Sequence, residues 1–485
     1  MLDAITMEQI IQTICGYVWS PALVAICLLA GLYFSIGTRF VQVRRFREMA
    51  RLLFSTDKSQ KTGITSFQAF SMALSGRVGT GNIVGVATAI GYGGPGAIVW
   101  MWIIAFLGAG SAFSEATLAQ IYKEEHKGQF RGGPAYYIEK GLRCKWLAIV
   151  FAVIAVLACG WFLPPVQSNG IAISFANTFS INPAIVGAAV ALLIGLVVMG
   201  GVHRIANVAQ IVAPFMAVLY VLLSLVVLAF HIHEVPAVFM DMVRSAFGIN
   251  QALGGILGAT IAWGVKRGIY SNEAGQGTGA IVAGAAKVSH PVKQGLVQAF
   301  SVYIDTLLVC TATAVMILAC KTYNVFDASG NILVAAEGVE LGAPDVSYTS
   351  AALGTLLGAN WGGVIVSIAL FFFAFTTIMA YYYYAETNLV YLFGKGKIEH
   401  ILIWVLRFGV VGMVFFGSLH EAKAMWDLGD IGVGAMAWIN IVAILLLSRK
   451  AFKALRSYER QKKEGKDPVF DPKEIGVKGA EFWER

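Results

Sequence analysis

Long runs of apolar residues alternate along the chain with shorter polar segments. A helix needs about 20 apolar residues to cross a hydrocarbon core roughly 30 Å thick. The pattern therefore predicts eleven membrane-spanning helices, over 15–37, 66–92, 95–122, 146–176, 182–200, 205–233, 250–266, 294–320, 355–392, 401–419 and 426–447. The runs 66–92 and 250–266 are rich in Gly and other small residues, so hydropathy supports them less than the others.

The composition agrees with a membrane protein. Of the 485 residues, 57% are hydrophobic and 13% are charged, against about 45–50% and about 25% in an average soluble protein. So few charges do not cover a soluble surface of this size, whereas lipid can replace water around most of the molecule. We therefore predict an all-α polytopic membrane protein. The net charge of +8 does not indicate a nucleic-acid-binding protein, because the rest of the composition excludes that class.

Lys and Arg residues lie almost entirely on one side of the predicted membrane. If the first loop is cytoplasmic, 32 of the 36 Lys and Arg residues fall in cytoplasmic segments, Lys266 and Arg267 among them. Cytoplasmic loops of membrane proteins carry such an excess of positive charge. The distribution predicts a multi-pass protein of the inner (plasma) membrane, with the N-terminus outside and the C-terminus in the cytoplasm. The basic tail 449–485 is expected to be a solvated extension attracted to anionic lipid.

The polar residues form no recognisable catalytic or cofactor centre. The six Cys residues contain no CxxC pair, and no two of the seven His residues stand at metal-ligand spacing within a predicted span. Gly79–Gly85 lacks the third Gly of a dinucleotide-binding fingerprint, since Val84 occupies that position, and there is no Walker A motif. These absences argue against an enzyme, a resident cofactor and ATP-driven transport. A secondary transporter is the leading interpretation, with an ion channel as the alternative class.

Two predicted spans contain residues typical of interrupted helices. They are Ser75–Asn82 in the second span and Gly254–Gly268 in the seventh. Irregular backbone at membrane depth occurs only where it lines a protein cavity, and transporters use such interruptions to bind substrate and cation near the bilayer midplane. The alternative is a packing face of small residues, because Gly81 and Gly85 have the spacing of close helix contacts.

Motifs at and beyond these interruptions closely resemble those of the alanine or glycine:cation symporter family. In chain order they are Ser66–Ala69, Val78–Ile83, Gly93–Trp102, Phe113–Ala119, Gly132–Ile138, Gly264–Gly275, Asp305–Thr306, Cys310–Thr313 and Phe373–Thr377. The resemblance runs from about residue 66 to residue 440.

The resemblance implies a leucine-transporter-type fold, in which two five-helix inverted repeats follow one extra N-terminal helix. The chain then divides into a peripheral helix and basic loop (1–65), a first repeat (66–233), a second repeat (234–448) and the tail (449–485). It also implies symport of Na⁺, or alternatively H⁺, with small neutral amino acids such as alanine and glycine. The protein is expected to act as a monomer in the lipid bilayer.

The resemblance indicates cation-binding residues at the first interruption. Asn82 is a neutral oxygen ligand suited to Na⁺, although it could instead cap the second half-helix. Thr376 and Thr377 follow a carbonyl one helical turn earlier, so one helix face can present several oxygens together; the alternative is hydroxyls that bond their own helix. The full predicted Na⁺-binding set is Ser75, Val78, Asn82, Phe373, Thr376 and Thr377.

Substrate-binding residues are expected on three helices. Backbone amides at the first interruption can bind a carboxylate at the positive end of a half-helix. Gln167 can bind an amino-acid head group, and Trp263, placed where the seventh span breaks, can restrict the pocket to small side chains; core packing is the alternative for both. The predicted set is Gly79, Thr80, Gly81, Gln167, Ile171, Trp263 and Met379.

Ionisable residues within the predicted spans form a further group. An isolated charge there costs at least a few kcal/mol, so each must pair or face water. Pairing of Arg77 with Asp305 or Glu115 is predicted, as a structural pair or as part of ion coupling. Glu386, near the inner end of its helix, is expected to belong to a cytoplasmic gate.

Overall fold

The structure is a computed structural model that describes residues 7–55, 62–249, 256–394, 396 and 398–484. It is almost entirely helical. Its helices are α1 Met7–Val18, α2 Pro21–Gly37, α3 Val41–Arg44, α4 Phe46–Leu52, α5 Ser66–Arg77, α6 Val86–Gly93, α7 Gly96–Ile121, α8 Pro134–Leu142, α9 Lys145–Leu157, α10 Leu163–Phe179, α11 Pro183–Val198, α12 Gly201–Phe230, α13 Val235–Ala246, α14 Leu257–Asn272, α15 Thr278–Ala285, α16 Pro291–Val302, α17 Thr311–Ala319, α18 Val346–Leu357, α19 Ala359–Phe393, α20 Glu399–Leu419 and α21 Ala422–Lys463.

Short π-helical turns and two hairpins complete the described structure. The π-helical turns are Gly81–Gly85, Ala158–Phe162 and Tyr303–Cys310. The strands are β1 Glu124–His126, β2 Gln129–Arg131, β3 Val325–Phe326 and β4 Ile332–Val334. Strand β1 pairs antiparallel with β2, and β3 pairs antiparallel with β4.

Eight helical segments of the described residues are long and apolar enough to cross a membrane, which confirms the polytopic all-α class. They are Glu8–Gly37, Gly96–Ile121, Lys145–Phe179, Gly201–Phe230, Pro291–Ala319, Ala359–Phe393, Glu399–Leu419 and Ala422–Lys463. Helix α11 is a shorter apolar helix of 16 residues.

The first interruption lies where the sequence predicts it. Helix α5 begins with a capping box between Thr65 and Gln68 and ends at Arg77, after which Val78 has extended backbone angles (φ −80°, ψ 90°). The chain resumes as the π-helical turn Gly81–Gly85 and continues into α6. The last carbonyl groups of α5 therefore have no following helical turn whose N–H groups could donate hydrogen bonds to them.

The second interruption lies further along the chain than predicted. Helix α14 is continuous through the stretch Trp263–Gly268 and ends at Asn272. Glu273, Gly275 and Gly277 have positive φ angles of 56°, 82° and 95°, which only Gly adopts readily. Helix α15 then begins at Thr278. Gly254 and Gly255, predicted to start the break, lie outside the described residues.

The glycines within α14 serve helix packing, which explains the wrong placement. A Cβ atom on Gly264 would lie 2.5 Å from the backbone oxygen of Ala97, and one on Gly268 would lie 2.4 Å from Cγ2 of Ile104. Both contacts are with α7, so these glycines let the two helices approach closely.

The cytoplasmic placement of Lys266 and Arg267 is also wrong. Both line one cavity with Pro344 and Asp345, which belong to a loop predicted to be outside. Because α14 does not break at 263–268, these two residues stay within the helix, on the side of the loop that holds Pro344 and Asp345, and do not enter the loop that follows the predicted span.

The basic tail packs against the helix bundle and is not a solvated extension. Helix α21 continues to Lys463, beyond the predicted span. The following segment folds back: the amide of Phe470 donates to the carbonyl of Ser289 (2.9 Å), and Nε1 of Trp483 donates to the carbonyl of Gln120 (2.9 Å). Its apolar residues Phe470, Ile475, Val477 and Ala480 are buried, and this burial accounts for the docked position.

Candidate functional site

An oxygen-rich cluster joins the end of α5 to the middle of α19. Oγ1 of Thr377 lies 2.7 Å from the carbonyl oxygen of Ser75, 3.2 Å from that of Val78 and 2.9 Å from that of Phe373. A hydroxyl has a single hydrogen to donate, so at least two of these three carbonyls keep lone pairs directed at the same point. Thr376 adds a second hydroxyl, 3.0 Å from the carbonyl of Phe373. Four of the six predicted Na⁺-binding residues thus meet at the Thr377 hydroxyl, and Thr376 shares only the Phe373 carbonyl with them.

Asn82 belongs to a different cluster. Its Oδ1 accepts a hydrogen bond from the amide of Gly79 (2.9 Å), and its Nδ2 donates to Oδ1 of Asp305 (2.7 Å). The first contact is not the N-cap bond that stood as the alternative, because a capping side chain accepts from an amide two or three residues further along, and Gly79 precedes Asn82. The second contact connects the first interruption to the π-helical turn Tyr303–Cys310.

Asp305 is fully buried and is surrounded by neutral donors. Besides Asn82, it accepts hydrogen bonds from Oγ of Ser271 (2.9 Å to Oδ2) and Oγ1 of Thr306 (2.7 Å). It forms no ion pair with any of the described Lys or Arg residues, so the predicted Arg77–Asp305 pair is wrong. Ser271 lies in the last turn of α14, one turn from the second interruption. Residues at both interruptions therefore converge on one carboxylate.

Arg77 caps the end of α14 instead of pairing with an acid. Its Nε donates to the carbonyl of Asn272 (2.6 Å), and Nη1 donates to Oγ of Ser301. A cation at a helix C-terminus interacts favourably with the helix dipole and the last carbonyls, which explains this position. Glu115, the other predicted partner, accepts from Nδ2 of Asn440 (2.8 Å) and forms no ion pair within the described parts of the chain.

The predicted substrate residues at the first interruption contact α10. The amide of Thr80 donates to Oε1 of Gln167 (3.0 Å). A neutral amide oxygen thus occupies the position predicted for a substrate carboxylate oxygen. Gly81 faces Tyr270 of α14, since a Cβ atom there would lie 3.3 Å from Cδ1 of that ring. Sequence reasoning missed Tyr270 and Ser271, although both lie within the Gly264–Gly275 motif.

Gly79 lies between Gln167 and the oxygen-rich cluster around Thr377. A Cβ atom on Gly79 would lie 2.6 Å from Oγ1 of Thr377 and 2.8 Å from Oε1 of Gln167. Both separations are below normal contact, so the backbone fits between the two side chains only without a side chain of its own.

Gly79→Ala is therefore expected to displace Thr377 or Gln167 and to reduce transport, at an overpacking cost of about 1–3 kcal/mol. Gly85→Ala is the matched control, because the nearest side-chain neighbour of its Cβ atom would be Cδ of Arg267, at 3.8 Å. Initial uptake rates of the purified, reconstituted variants test this. Equal rates for the two variants would contradict a close approach at Gly79.

Trp263 lines an outer cavity and not the space between the interruptions. This cavity of about 690 Å³ is also lined by Tyr92, Lys266, Trp426 and Asp427. The Trp263 ring lies 5.0 Å from that of Tyr92, and at a rise of about 1.5 Å per residue it stands roughly 15 Å outward of Glu273. The prediction that Trp263 sets substrate size rested on its placement at a helix break, and that placement is wrong.

The remaining predicted substrate residues, Ile171 and Met379, are fully buried in the apolar core. Tyr270 separates the outer cavity from the first interruption: its ring lies 4.9 Å from Trp426, and its hydroxyl lies beside Thr80 and Gln167. Above it, Nη1 and Nη2 of Arg267 each lie 3.0 Å from an oxygen of Asp430. This bidentate pair was also missed, since its two residues are far apart in the sequence.

A second buried ion pair lies toward the opposite end of the bundle. Nη2 of Arg131, on β2, lies 2.5 Å from Oε1 of Glu386 on α19, and Tyr382 donates to the other carboxylate oxygen (2.5 Å). Glu386 is only 5% exposed. Glu386 is the residue that the sequence analysis assigns to a cytoplasmic gate, and that assignment stays a prediction.

Comparison with known proteins identifies the family. Residues 4–472 match the model of the sodium:alanine symporter family. The chain belongs to this family. Its members and relatives are transporters and not enzymes, and amino-acid transport is supported for this symporter by its relatives.

Three relatives cover nearly the whole of this symporter. The carrier protein YrbD of Bacillus subtilis is 54% identical over 480 residues, which are 99% of this chain and 98% of that protein. The sodium/proton-dependent alanine carrier protein of Bacillus sp. strain PS3 is 48% identical over 89% of this chain and 96% of its own length. The amino-acid carrier protein AlsT of Bacillus subtilis is 41% identical over 94% and 93%.

A solved transporter shares the fold of this symporter. A mutant of the manganese transporter of Eremococcus coleocola superposes with a TM-score of 0.50 at 12% identity, covering 88% of this chain and 95% of that one. At this identity the likeness concerns the helical transporter fold alone.

Proposed function

We propose that this protein couples the inward flow of Na⁺ to the uptake of small neutral amino acids, alanine and glycine among them, by alternating access. Proton coupling is the alternative for the driving ion. The family and the alanine carrier of Bacillus sp. strain PS3 support the substrate class.

The observation that carries the cation coupling is the buried carboxylate of Asp305. It is 0% exposed, and its three donor residues, Asn82, Ser271 and Thr306, are all neutral. Burying an ionised carboxylate without a counter-charge costs several kcal/mol. A monovalent cation bound against Asp305 removes that cost. The helix α14 supplies the hydroxyl oxygen of Ser271 beside the carboxylate, and the first interruption supplies the amide side chain of Asn82.

The Thr377 cluster supports a second cation position. Freed carbonyls at a helix break are typical Na⁺ ligands in transporters, and here the carbonyls of Ser75 and Val78 converge on the Thr377 hydroxyl. Gly79 lies against both Thr377 and Gln167. A substrate that displaces Gln167 therefore also shifts Gly79, and with it the Thr377 cluster.

We place the substrate between α10 and the first interruption. In this proposal the carboxylate of the amino acid takes the position of Oε1 of Gln167 on the amide of Thr80, and the freed Gln167 turns to the ammonium group. Tyr270 then closes the site from the outer cavity, while the Arg131–Glu386 pair closes the opposite side. With both closed the substrate is enclosed, and opening one of them at a time is what alternating access requires.

The packing of the interrupted helices supports two inverted repeats. Helix α6, which follows the first break, packs against α14, which precedes the second. Helix α5, which precedes the first break, packs against α15, which follows the second. The two interrupted helices therefore run in opposite directions past each other. The eight long segments, the shorter helix α11 and the two interrupted helices (α5 with α6, and α14 with α15) together make eleven membrane crossings. In the predicted orientation the C-terminus lies in the cytoplasm.

Uptake of labelled alanine into proteoliposomes tests the coupling. An inward Na⁺ gradient is expected to drive accumulation that collapses when the gradient is dissipated, because Asp305 and the Thr377 cluster must be occupied for the substrate site to close. Undiminished accumulation under a proton gradient in Na⁺-free buffer would show that H⁺, and not Na⁺, is the coupling ion. Saturable exchange of internal for external alanine distinguishes the carrier from a channel.

A further inference from the structure

Glu115, like Asp305, is a buried carboxylate without an ion-pair partner among the described residues. It lies on α7, is 0% exposed and forms no ion pair within the described residues. Oε2 accepts a hydrogen bond from Nδ2 of Asn440 (2.8 Å), whereas Oε1 has no hydrogen-bond partner in the described structure. A fully ionised group in this position leaves one oxygen desolvated and unpaired, which is costly.

The charged and titratable groups that face Glu115 come from several elements. They are Arg77 at the end of α5, Glu273 at the second interruption and Tyr137 on α8. Tyr137 donates its hydroxyl to Oδ1 of Asn440 and therefore does not pair directly with Glu115. Arg77 is the only cation of this group.

The positive charge of Arg77 is shared between two buried carboxylates. Arg77 interacts electrostatically with both Glu115 and Glu273, and within the described residues it forms an ion pair with neither. One cation balances only one of the two charges. If a cation neutralises Asp305, as proposed above, one negative charge of this buried region is left, shared by Glu115 and Glu273.

Asn440 connects Glu115 to the second interruption. Its Nδ2 donates both to Glu115 and to the carbonyl of Gly275 (2.9 Å), one of the residues with positive φ. The NH₂ group has two hydrogens, so it makes both bonds at once. Glu115 is thus linked to the interrupted helix through one shared side chain.

We propose that Glu115 is a proton-binding site of the transport cycle, which takes up one proton on the outer side and releases it to the cytoplasm together with substrate. This rests on the proposed function, because it assigns a proton to a carrier whose main coupling ion is Na⁺. The proton forms an O–H bond on the Glu115 carboxylate and leaves again as H⁺, so no other reactant is needed.

Proton movement can be measured separately from Na⁺ coupling. Proteoliposomes that contain the full-length protein and a trapped pH-sensitive dye receive alanine under equal Na⁺ and a clamped membrane potential. The wild type is expected to acidify the lumen on addition of alanine. Glu115→Gln is expected to lose this acidification completely while retaining Na⁺-driven alanine accumulation, and its uptake should no longer vary from acidic to alkaline pH.

Two further variants control the result. Glu340→Gln removes an exposed carboxylate from a loop and should acidify like the wild type. Glu115→Asp keeps an ionisable group but withdraws it by one methylene from Asn440, so acidification should persist with a shifted pH profile. This second variant decides the matter if Glu115→Gln does not fold.

Three outcomes overturn the proposal. Absence of acidification in a wild type that still accumulates alanine with Na⁺ would refute the Glu115 site and leave the proposed function intact. Unchanged acidification in a folded Glu115→Gln variant would do the same, as would unchanged pH dependence in Glu115→Asp. Absence of Na⁺-driven accumulation in the wild type would instead refute the proposed function.

Discussion

Asp305→Asn is expected to abolish Na⁺-dependent alanine uptake at ordinary Na⁺ concentrations. The variant keeps the size of the side chain and can still bond Ser271 and Thr306, but it removes the negative charge from a fully buried position. Interactions of this charged kind contribute about 1.5–3 kcal/mol. That loss corresponds to a rise of roughly ten- to a hundredfold in the Na⁺ concentration needed for half-maximal uptake.

The Na⁺ dependence of initial uptake rates measures this effect. Asp471→Asn serves as the control, because that carboxylate is exposed in the C-terminal segment and its loss should leave the Na⁺ dependence unchanged. Stabilisation against thermal unfolding by added Na⁺ gives an independent readout, since a bound ion stabilises the folded state by mass action. A folded Asp305→Asn protein with wild-type Na⁺ dependence would show that the carboxylate binds no cation.

The first interruption could be predicted because several local signals agree there. Small residues, the amide side chain of Asn82 and the absence of a continuous apolar face all indicate that the helix stops, and the structure ends α5 at Arg77. The contact of Thr377 with Ser75 and Val78 joins residues about 300 positions apart. The sequence alone contains no signal for that distance, and only the family resemblance indicated the pairing.

The second interruption shows why glycine is ambiguous in a membrane helix. Gly264 and Gly268 allow close packing on α7, whereas Gly275 and Gly277 adopt the positive φ angles of the break. Both roles require the absence of a side chain, so composition does not separate them. Trp263 was assigned to the substrate site through this ambiguity, and the error carried Lys266 and Arg267 to the wrong side of the membrane.

Partners of buried charges were the least predictable feature. Arg77 was expected to pair with an acid because the charges balance, yet it binds carbonyl and hydroxyl oxygens. A helix C-terminus offers several partial negative charges in one place, and this can replace a carboxylate. The consequence is that Asp305 and Glu115 form no direct ion pair within the described residues, a property that became visible only once the fold positioned α14.

Thr377→Val is expected to raise the Na⁺ requirement strongly without changing which amino acids are transported. The substitution keeps the branched shape but removes the hydroxyl that lies 2.7 Å from the carbonyl of Ser75 and 3.2 Å from that of Val78. Loss of one buried oxygen partner leaves carbonyls unsatisfied at a cost of about 1–3 kcal/mol. The expected rise in the half-maximal Na⁺ concentration is again about tenfold or more.

Thr376→Val is the matched control, since it changes the neighbouring residue in the same way. Oγ1 of Thr376 bonds carbonyls of its own helix, those of Phe372 and Phe373, each at 3.0 Å. Such a hydroxyl contributes less to contacts between helices, so its removal should raise the Na⁺ requirement less. An equal effect of the two variants would mean that both hydroxyls act only within α19. A larger effect of Thr377→Val, with the amino-acid selectivity unchanged, would locate cation binding where α19 meets the end of α5.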